Sequence, residues 1–480
     1  MLRRPSRPPF PPAATTLAGR HDARIDPTTV ATSLEQPAIV RVSGPVCLGV
    51  AAATLAAIAA ASAGLTVLAA VTGRDYVFGF VPAFQATNAA TVVAWGSTAA
   101  LAIAAALAGL VAWLSRGPAG HRPGWWMLAA ALALASLSRL TMPLVPAAWV
   151  VPAAFAATGA ALWRTGAPRA PAAVWLGLGL IAVAPLIAGT SGASLVALIA
   201  RATEWGGALA VSAGALGALA VSTGGTVTFL GAAAPAEGTR MPAVVALSAR
   251  SVLVAAGAAL VTLTVTSLVI AGLRQGLRWP IEGAYRFLYV DFEGGLPAWY
   301  SSMLLLAAAA AAGLLAAGDR ALARADWRSW GLIAAGFVAL SCDEAASLHE
   351  LLNEPLRGLL HDLPALRFPL VLPGAVAAMA AGAVLARFLL DLPGDTRRGL
   401  LTSAAVFLGG VLGFETVGGW FDPVLFGDSA AYLALTTAEE ACEMAGVTGA
   451  LHAMLRHFER HAGPLTLHVG APDGSPARQG

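Results

Sequence analysis

Lysine is missing from this sequence: all 29 basic residues are arginine. Charge of either sign is scarce, at 11% of residues, while 58% are hydrophobic and the mean hydropathy is +0.73. A water-soluble domain carries roughly a quarter charged residues, so a soluble globular chain is excluded. Cysteine is nearly absent as well. Cys47, Cys342 and Cys442 form neither a disulfide framework nor a Cys-x-x-Cys zinc or redox motif. Also lacking are a glycine-rich phosphate loop, a Gly-x-Ser-x-Gly elbow and a His-Glu-x-x-His helix. The formal charge of +3 is spread over loops, and no nucleic-acid partner is inferred from it.

What the sequence has in abundance is long apolar runs. They are rich in Ala, Leu, Val and Gly and do not alternate, which excludes a transmembrane β-barrel. Each is long enough to cross a hydrocarbon core of about 30 Å as a helix. The chain therefore reads as an all-α, polytopic integral membrane protein. About twelve spans are expected, at roughly 46–71, 89–115, 124–143, 146–163, 172–190, 193–220, 243–273, 298–318, 329–352, 367–389, 398–417 and 430–456. Residues 1–43, rich in Pro, Arg and Thr, read as a disordered cytoplasmic tail, and 463–480 as a second one. The tail does not lead directly into an apolar core as a signal peptide would, so the first run is expected to be retained as a span.

With the N-terminus inside, most arginines between spans, among them Arg116, Arg164, Arg320, Arg397 and Arg456, fall on the inner side. Arg74, Arg274, Arg278, Arg286, Arg357 and Arg367 fall outside. The positive-inside rule then places both termini in the cytoplasm. The arginine-only, alanine-rich composition reads as bacterial, so the expected location is a bacterial cytoplasmic (inner) membrane, with the lipid bilayer as the first partner.

The chain also resembles itself. Trp95 and Trp126 have the same spacing as Trp299 and Trp330, and one shift of 204 residues also superposes Ser97 on Ser301, Gly109 on Gly313 and Arg116 on Arg320. Duplication is the reading, with a first six-helix half at 44–242 and a second at 243–462, parallel and related by an axis near the membrane normal. At that shift Arg139 stands where Asp343 stands, Cys342 faces Ser138, and Glu204 aligns with Glu440. The first half is then a degenerate copy, held by an Arg139–Glu204 or Arg201–Glu204 structural ion pair.

Acids concentrate in the second half. Charged groups inside a bilayer cost about 2.5–3.5 kcal/mol each, so a cluster of them is a functional hypothesis by default. Asp343, Glu344, His349 and Glu350 lie at the end of the ninth span, and Glu439, Glu440 and Glu443 lie in the twelfth. Asp291, Glu293 and Glu415 are secondary candidates, the first two on a Gly-Pro segment that reads either as an aromatic-belt turn or as a lid. All fall toward the outer face. At 100° per residue Glu344 and His349 diverge to opposite sides of the Asp343 stripe, so either a subset acts or the helix is broken there. Clustered carboxylates cannot all ionise without a cation, which protons or a metal must supply. Carboxylates with an imidazole on facing helices suit a divalent metal (Fe, Mn or Zn), although the Glu-x-x-His pair of soluble di-iron proteins is absent. The bland alternatives are a solvated outer loop for Glu354 and Asp362, a hydrogen-bonded helix end for His349, and an interfacial basic helix end for His452, His457 and His461.

Three segments, Glu293–Ser302 (E-x3-PAWYSS), Ser341–Glu350 (SCDEAASLHE) and Glu439–Met444 (EEACEM), resemble an uncharacterised set of bacterial multipass membrane proteins carrying the same blocks. The resemblance covers mainly residues 280–460 and implies a polar site in a membrane protein, with no reaction attached. The expectation is a membrane metalloprotein, an enzyme acting on a lipid or small hydrophobic substrate. Its alternative is a proton- or cation-coupled transporter of major-facilitator-like two-half architecture.

Overall fold

The structure is a computed structural model, describing residues 38–73, 80–85, 91–114, 122–140, 158, 172–188, 194–223, 226–230, 244–246, 248–349, 371–418, 429–462 and 465–469. A short strand, β1 (Ala38–Val42), leads into α1 (Gly44–Thr72), followed by α2 (Val92–Leu114), α3 (Arg122–Leu140), α4 (Ala172–Ala188) and α5 (Ser194–Thr223). Strands β2 (Thr226–Leu230) and β3 (Val244–Ala246) come next. The second set comprises α6 (Ala249–Gly276), a short α7 (Glu282–Leu288), α8 (Leu296–Ala321), α9 (Trp327–Ala346), α10 (Val371–Asp391), α11 (Gly394–Leu408) and α12 (Ala430–His457). Strand β4 (Leu465–Val469) follows α12.

Serine hydroxyls start three of these helices: Ser43 accepts from the Val46 amide, Ser248 from Ser251 and Ser429 from Tyr432, each meeting an amide the first turn leaves unpaired. At the far end of α1, Gly73 takes a left-handed turn (φ 63°) that lets the helix stop.

Among the described residues, seven helical segments are long and apolar enough to cross a membrane: α1, α2, α5 (over 196–223), α6, α8, α10 and α11 with its continuation to Gly418. The third, fifth, ninth and twelfth expected spans coincide with α3, α4, α9 and α12, which are shorter or more polar. The fourth falls, but for Thr158, outside the described residues. Much of the apolar surface on α1, α6 and α10 is exposed, with Val50, Val71, Val254, Val261, Met379 and Val384 each more than half accessible, an arrangement compatible with lipid against those faces.

The packing of the two sets is alike. In the first, α2 packs on α3 and α5, α4 on α5, and α1 on α5; in the second, α8 packs on α9 and α12, α11 on α12, and α6 on α12. Each set has its own core, Leu101, Leu128, Leu132, Ile181 and Val211 in one and Leu305, Leu315, Trp330, Leu451 and Met454 in the other. The sets meet where α2 touches α9 and α3 touches α8. There the Trp95 indole donates to Ser341 Oγ (3.1 Å) and the Trp299 indole donates to Ser136 Oγ (3.2 Å), so each helix set reaches into the other. The receiving hydroxyls are anchored the same way, Ser136 donating to the Thr98 carbonyl (2.9 Å) and Ser341 to the Ser302 carbonyl (3.0 Å).

One part of the architecture departs from the sequence expectation. Residues 38–42 and 465–469, read as tails, are strands of a four-stranded sheet ordered β1-β4-β2-β3. β4 runs parallel to β1 and antiparallel to β2, and β2 runs parallel to β3. The Thr228 and Thr466 hydroxyls meet across the β2–β4 pair at 3.2 Å. Five-residue strands such as AIVRV and LTLHV are rich in β-branched residues, but they carry too little apolar length to stand out beside Pro-rich neighbours and twenty-residue apolar runs.

Candidate functional site

The acids gather at the end of the helices opposite the sheet. α9 does break as its acids arrive: Ser347 adopts a left-handed conformation (φ 50°, ψ 41°), which L side chains seldom take. The turn swings the chain back, so that the His349 amide donates to Asp343 Oδ1 at 2.9 Å and His349 Nδ1 lies 3.2 Å from Asp343 Oδ2. This answers the geometric problem of the straight helix, because the break brings His349 back to Asp343. The other ring nitrogen, Nε2, lies 3.7 Å from Glu293 Oε1. The Ser347 hydroxyl donates to the second oxygen of Glu293.

Glu293 is delivered by the segment between α7 and α8. That segment is no loose lid: Tyr289 and Val290 are buried, the Tyr289 hydroxyl is 2.8 Å from Thr436 Oγ1, and the Val290 amide donates to Ser267 Oγ at 3.1 Å. Burial beside Asp291 pushes the Tyr289 phenol well above its ordinary range, so it stays a neutral hydrogen-bonding group. On α7, Glu282 binds Arg274 and Arg286 at 3.1 and 2.9 Å, and the Arg286 hydrogen bond, aided by both arginine charges, holds its carboxyl below the usual carboxylate value despite slight desolvation.

A second group forms around Glu440. It lies within electrostatic reach of Glu344, Glu443, Asp291 and Glu439, so acids from α9, from α12 and from the segment before α8 share one region. Glu344, in turn, is within reach of His349 and Asp343 and takes a hydrogen bond from Ser301. It is thus the link between the two groups. Behind them, the helix continuing α11 widens into a π-helical turn over Gly409–Phe414. A Cβ on Gly410 would stand 3.1 Å from both the Glu439 carbonyl and Glu443 Cγ, so this turn lies directly against the acid-bearing stretch of α12. Sequence reasoning missed it, although the Gly409-Gly410 pair inside an apolar run is the signal, and π-helical turns recur at functional sites. The Glu415 side chain and Glu350 lie outside the described residues, as do Glu354 and Asp362.

Residues 252–458 are similar to a family of unknown function, described as Domain of unknown function (DUF8692). That stretch runs from the second residue pair of α6 to just past α12 and holds every acid named above, while α1 to α5 lie outside it. No curated protein and no solved structure matches the chain.

Among the described residues, no three His, Cys, Asp or Glu side chains stand close enough to hold a metal ion together. The described arrangement offers two donors at the His349–Glu293 edge, with Asp343 fixing the imidazole from behind. In the first half, Arg139 Nε lies 2.6 Å from Glu204 Oε1 and Arg201 Nη1 lies 3.7 Å from Glu204 Oε2, so both expected pairings occur around one buried carboxylate. Cys342 and Cys442 are half-buried free thiols. His457 and His461 belong to a cluster at the sheet end, where His461 and Arg460 both bind Asp395, at 3.2 and 2.9 Å, and His457 meets Thr396 at 3.0 Å.

Proposed function

We propose that the protein is a membrane-embedded metalloprotein of two six-helix halves, whose second half draws a divalent cation (Fe, Mn or Zn) to Asp343, Glu344, His349, Glu440 and Glu443, side chains that must close in from their present separation to ligate it together. The observation that carries this reading is the comparison of matched positions. The crossed bonds Trp95–Ser341 and Trp299–Ser136 exchange under a rotation that turns one half into the other, which supports a duplication related by a two-fold axis. Matching these two bonds to each other pairs Ser136 with Ser341, a shift of 205, and on that register Arg139 would correspond to Glu344 rather than to Asp343. Where the first half sets a guanidinium against Glu204, the second sets a carboxylate, Glu344, against Glu440. A cation in the second site would do what the arginine does in the first.

The orientation of His349 supports a metal as that cation. Metal-bound histidines commonly give their other ring nitrogen to a carboxylate, as His349 Nδ1 does to Asp343, leaving Nε2 toward Glu293. Such an ion would act as a Lewis acid or activate water or dioxygen toward a lipid or small hydrophobic substrate at the outer leaflet.

The sheet supports the twelve-span count. It binds the N-terminal segment, the link between the halves and the C-terminal segment at one face, so each half must cross the membrane an even number of times. Six crossings per half satisfy this, the fourth being the expected span at 146–163. Arginine placement puts that face in the cytoplasm of a bacterial inner membrane.

Metal analysis of protein purified without chelator tests the reading. Stoichiometric Fe, Mn or Zn that is lost in Glu440→Gln is the expected result. Protein that carries no metal and takes up none of the three would overturn it. A second reading, a proton- or cation-coupled transporter, draws support from acids set within apolar helices in a two-half arrangement. Proton-gradient-driven uptake in proteoliposomes, lost in Glu440→Gln without any metal in the wild type, would select it.

A further inference from the structure

The first half is electrostatically unbalanced in the opposite sense. Arg139 and Arg201 converge on Glu204, and the three side chains are only 13%, 15% and 2% exposed. Among the described residues two guanidinium groups face one carboxylate, which leaves one positive charge in a region of low dielectric. Two of their nitrogens, Arg139 Nη2 and Arg201 Nη1, are buried and find no hydrogen-bond acceptor among the described residues. Water would satisfy the N–H groups and leave the charge.

We propose that this half holds an anion of the phosphate or carboxylate class between Arg139 and Arg201. An oxyanion matches what is missing: it supplies the negative charge and several acceptor oxygens, and guanidinium groups bind it in fork geometry. Arg139 lies in the last turn of α3 and Arg201 near the start of α5, which places the group at the same end of the bundle as the acids of the second half. Glu204 then acts as the spacer that keeps two like charges close enough to share one ligand. The same chemistry is offered by a lipid headgroup and by a free anion.

The test uses the full chain in nanodiscs of phosphatidylcholine and reads the melting temperature. One arm adds inorganic phosphate against sodium chloride of equal ionic strength, and the other replaces part of the lipid with phosphatidylglycerol. At least one arm should raise the melting temperature by several degrees. A rise with phosphate identifies a free anion, and a rise with the lipid alone identifies a headgroup. Arg201→Gln, which leaves Arg139 and Glu204 as a neutral pair, should fold and lose the rise, while Arg201→Lys should retain part of it. No rise in either arm, or an equal rise in Arg201→Gln, overturns the proposal.

Discussion

The two helix sets present opposite answers to one electrostatic problem. Each sets a glutamate against a neighbouring helix, the buried Glu204 on α5 and the half-buried Glu440 on α12. The residue facing it is Arg139 in one half and Glu344 in the other. The first arrangement carries its own counter-charge and more, whereas the second gathers acids around Glu440, a charge the proposed cation would offset.

Breaking the first pair should have the largest effect. Glu204→Gln strands two buried guanidinium groups, so it should lower stability by about 3–5 kcal/mol, read as a fall in melting temperature, with metal content unchanged. Loss of metal in Glu204→Gln as complete as in Glu440→Gln would show that the halves share one site. The comparison can next be sharpened by making the halves equal. Glu344→Arg copies the first half into the second and should abolish metal binding while leaving the metal-free protein at least as stable as the wild type. A steep loss of stability in metal-free Glu344→Arg would contradict the matching of Arg139 with Glu344.

Smaller effects probe the seam. Trp95→Phe and Trp299→Phe each remove one crossed indole bond and should cost about 1 kcal/mol apiece, in equal measure, by denaturant titration in mixed micelles. A markedly unequal pair would mean that the two bonds are not counterparts. The weakest expected change concerns Glu282, outside the acid site. Its carboxyl is held below the ordinary value by Arg286 and Arg274, so its contribution is present at neutral pH and fades as pH falls through the carboxylate range. Glu282→Gln should flatten the acid side of the stability profile slightly and leave the neutral melting temperature nearly unchanged, because solvent screens its half-exposed side chain.

Much of this was legible in the sequence because membrane helices announce themselves by length and apolarity. The positions of α1, α2, α6 and α8 follow from uninterrupted runs, and the acids of α9 and α12 stand out against them. The equal Trp spacing pointed to the repeat. Less legible was anything set by one residue of register. A 204-residue shift fits the tryptophans, whereas the proposed matching of Ser136 with Ser341 rests on the Trp95 and Trp299 hydrogen bonds, which no sequence pattern reveals. The break at Ser347 was also hidden, since serine carries no sequence mark of a positive φ; only the conflict between Glu344 and His349 on a straight helix hinted at it. The sheet was missed for a different reason. Its strands are far apart in sequence and none is stable alone.

The position of β4 within that sheet bears on how the chain is made. Of the four described strands β4 is the latest in sequence, yet it lies between β1 and β2 and pairs with both. Until Leu465–Val469 emerges, β1 lacks its only partner among the described strands and β2 keeps one open edge. A chain that has reached only α12 therefore leaves β1 and β2 unfastened, and the arrival of β4 ties the segment before α1 to the segment after α5.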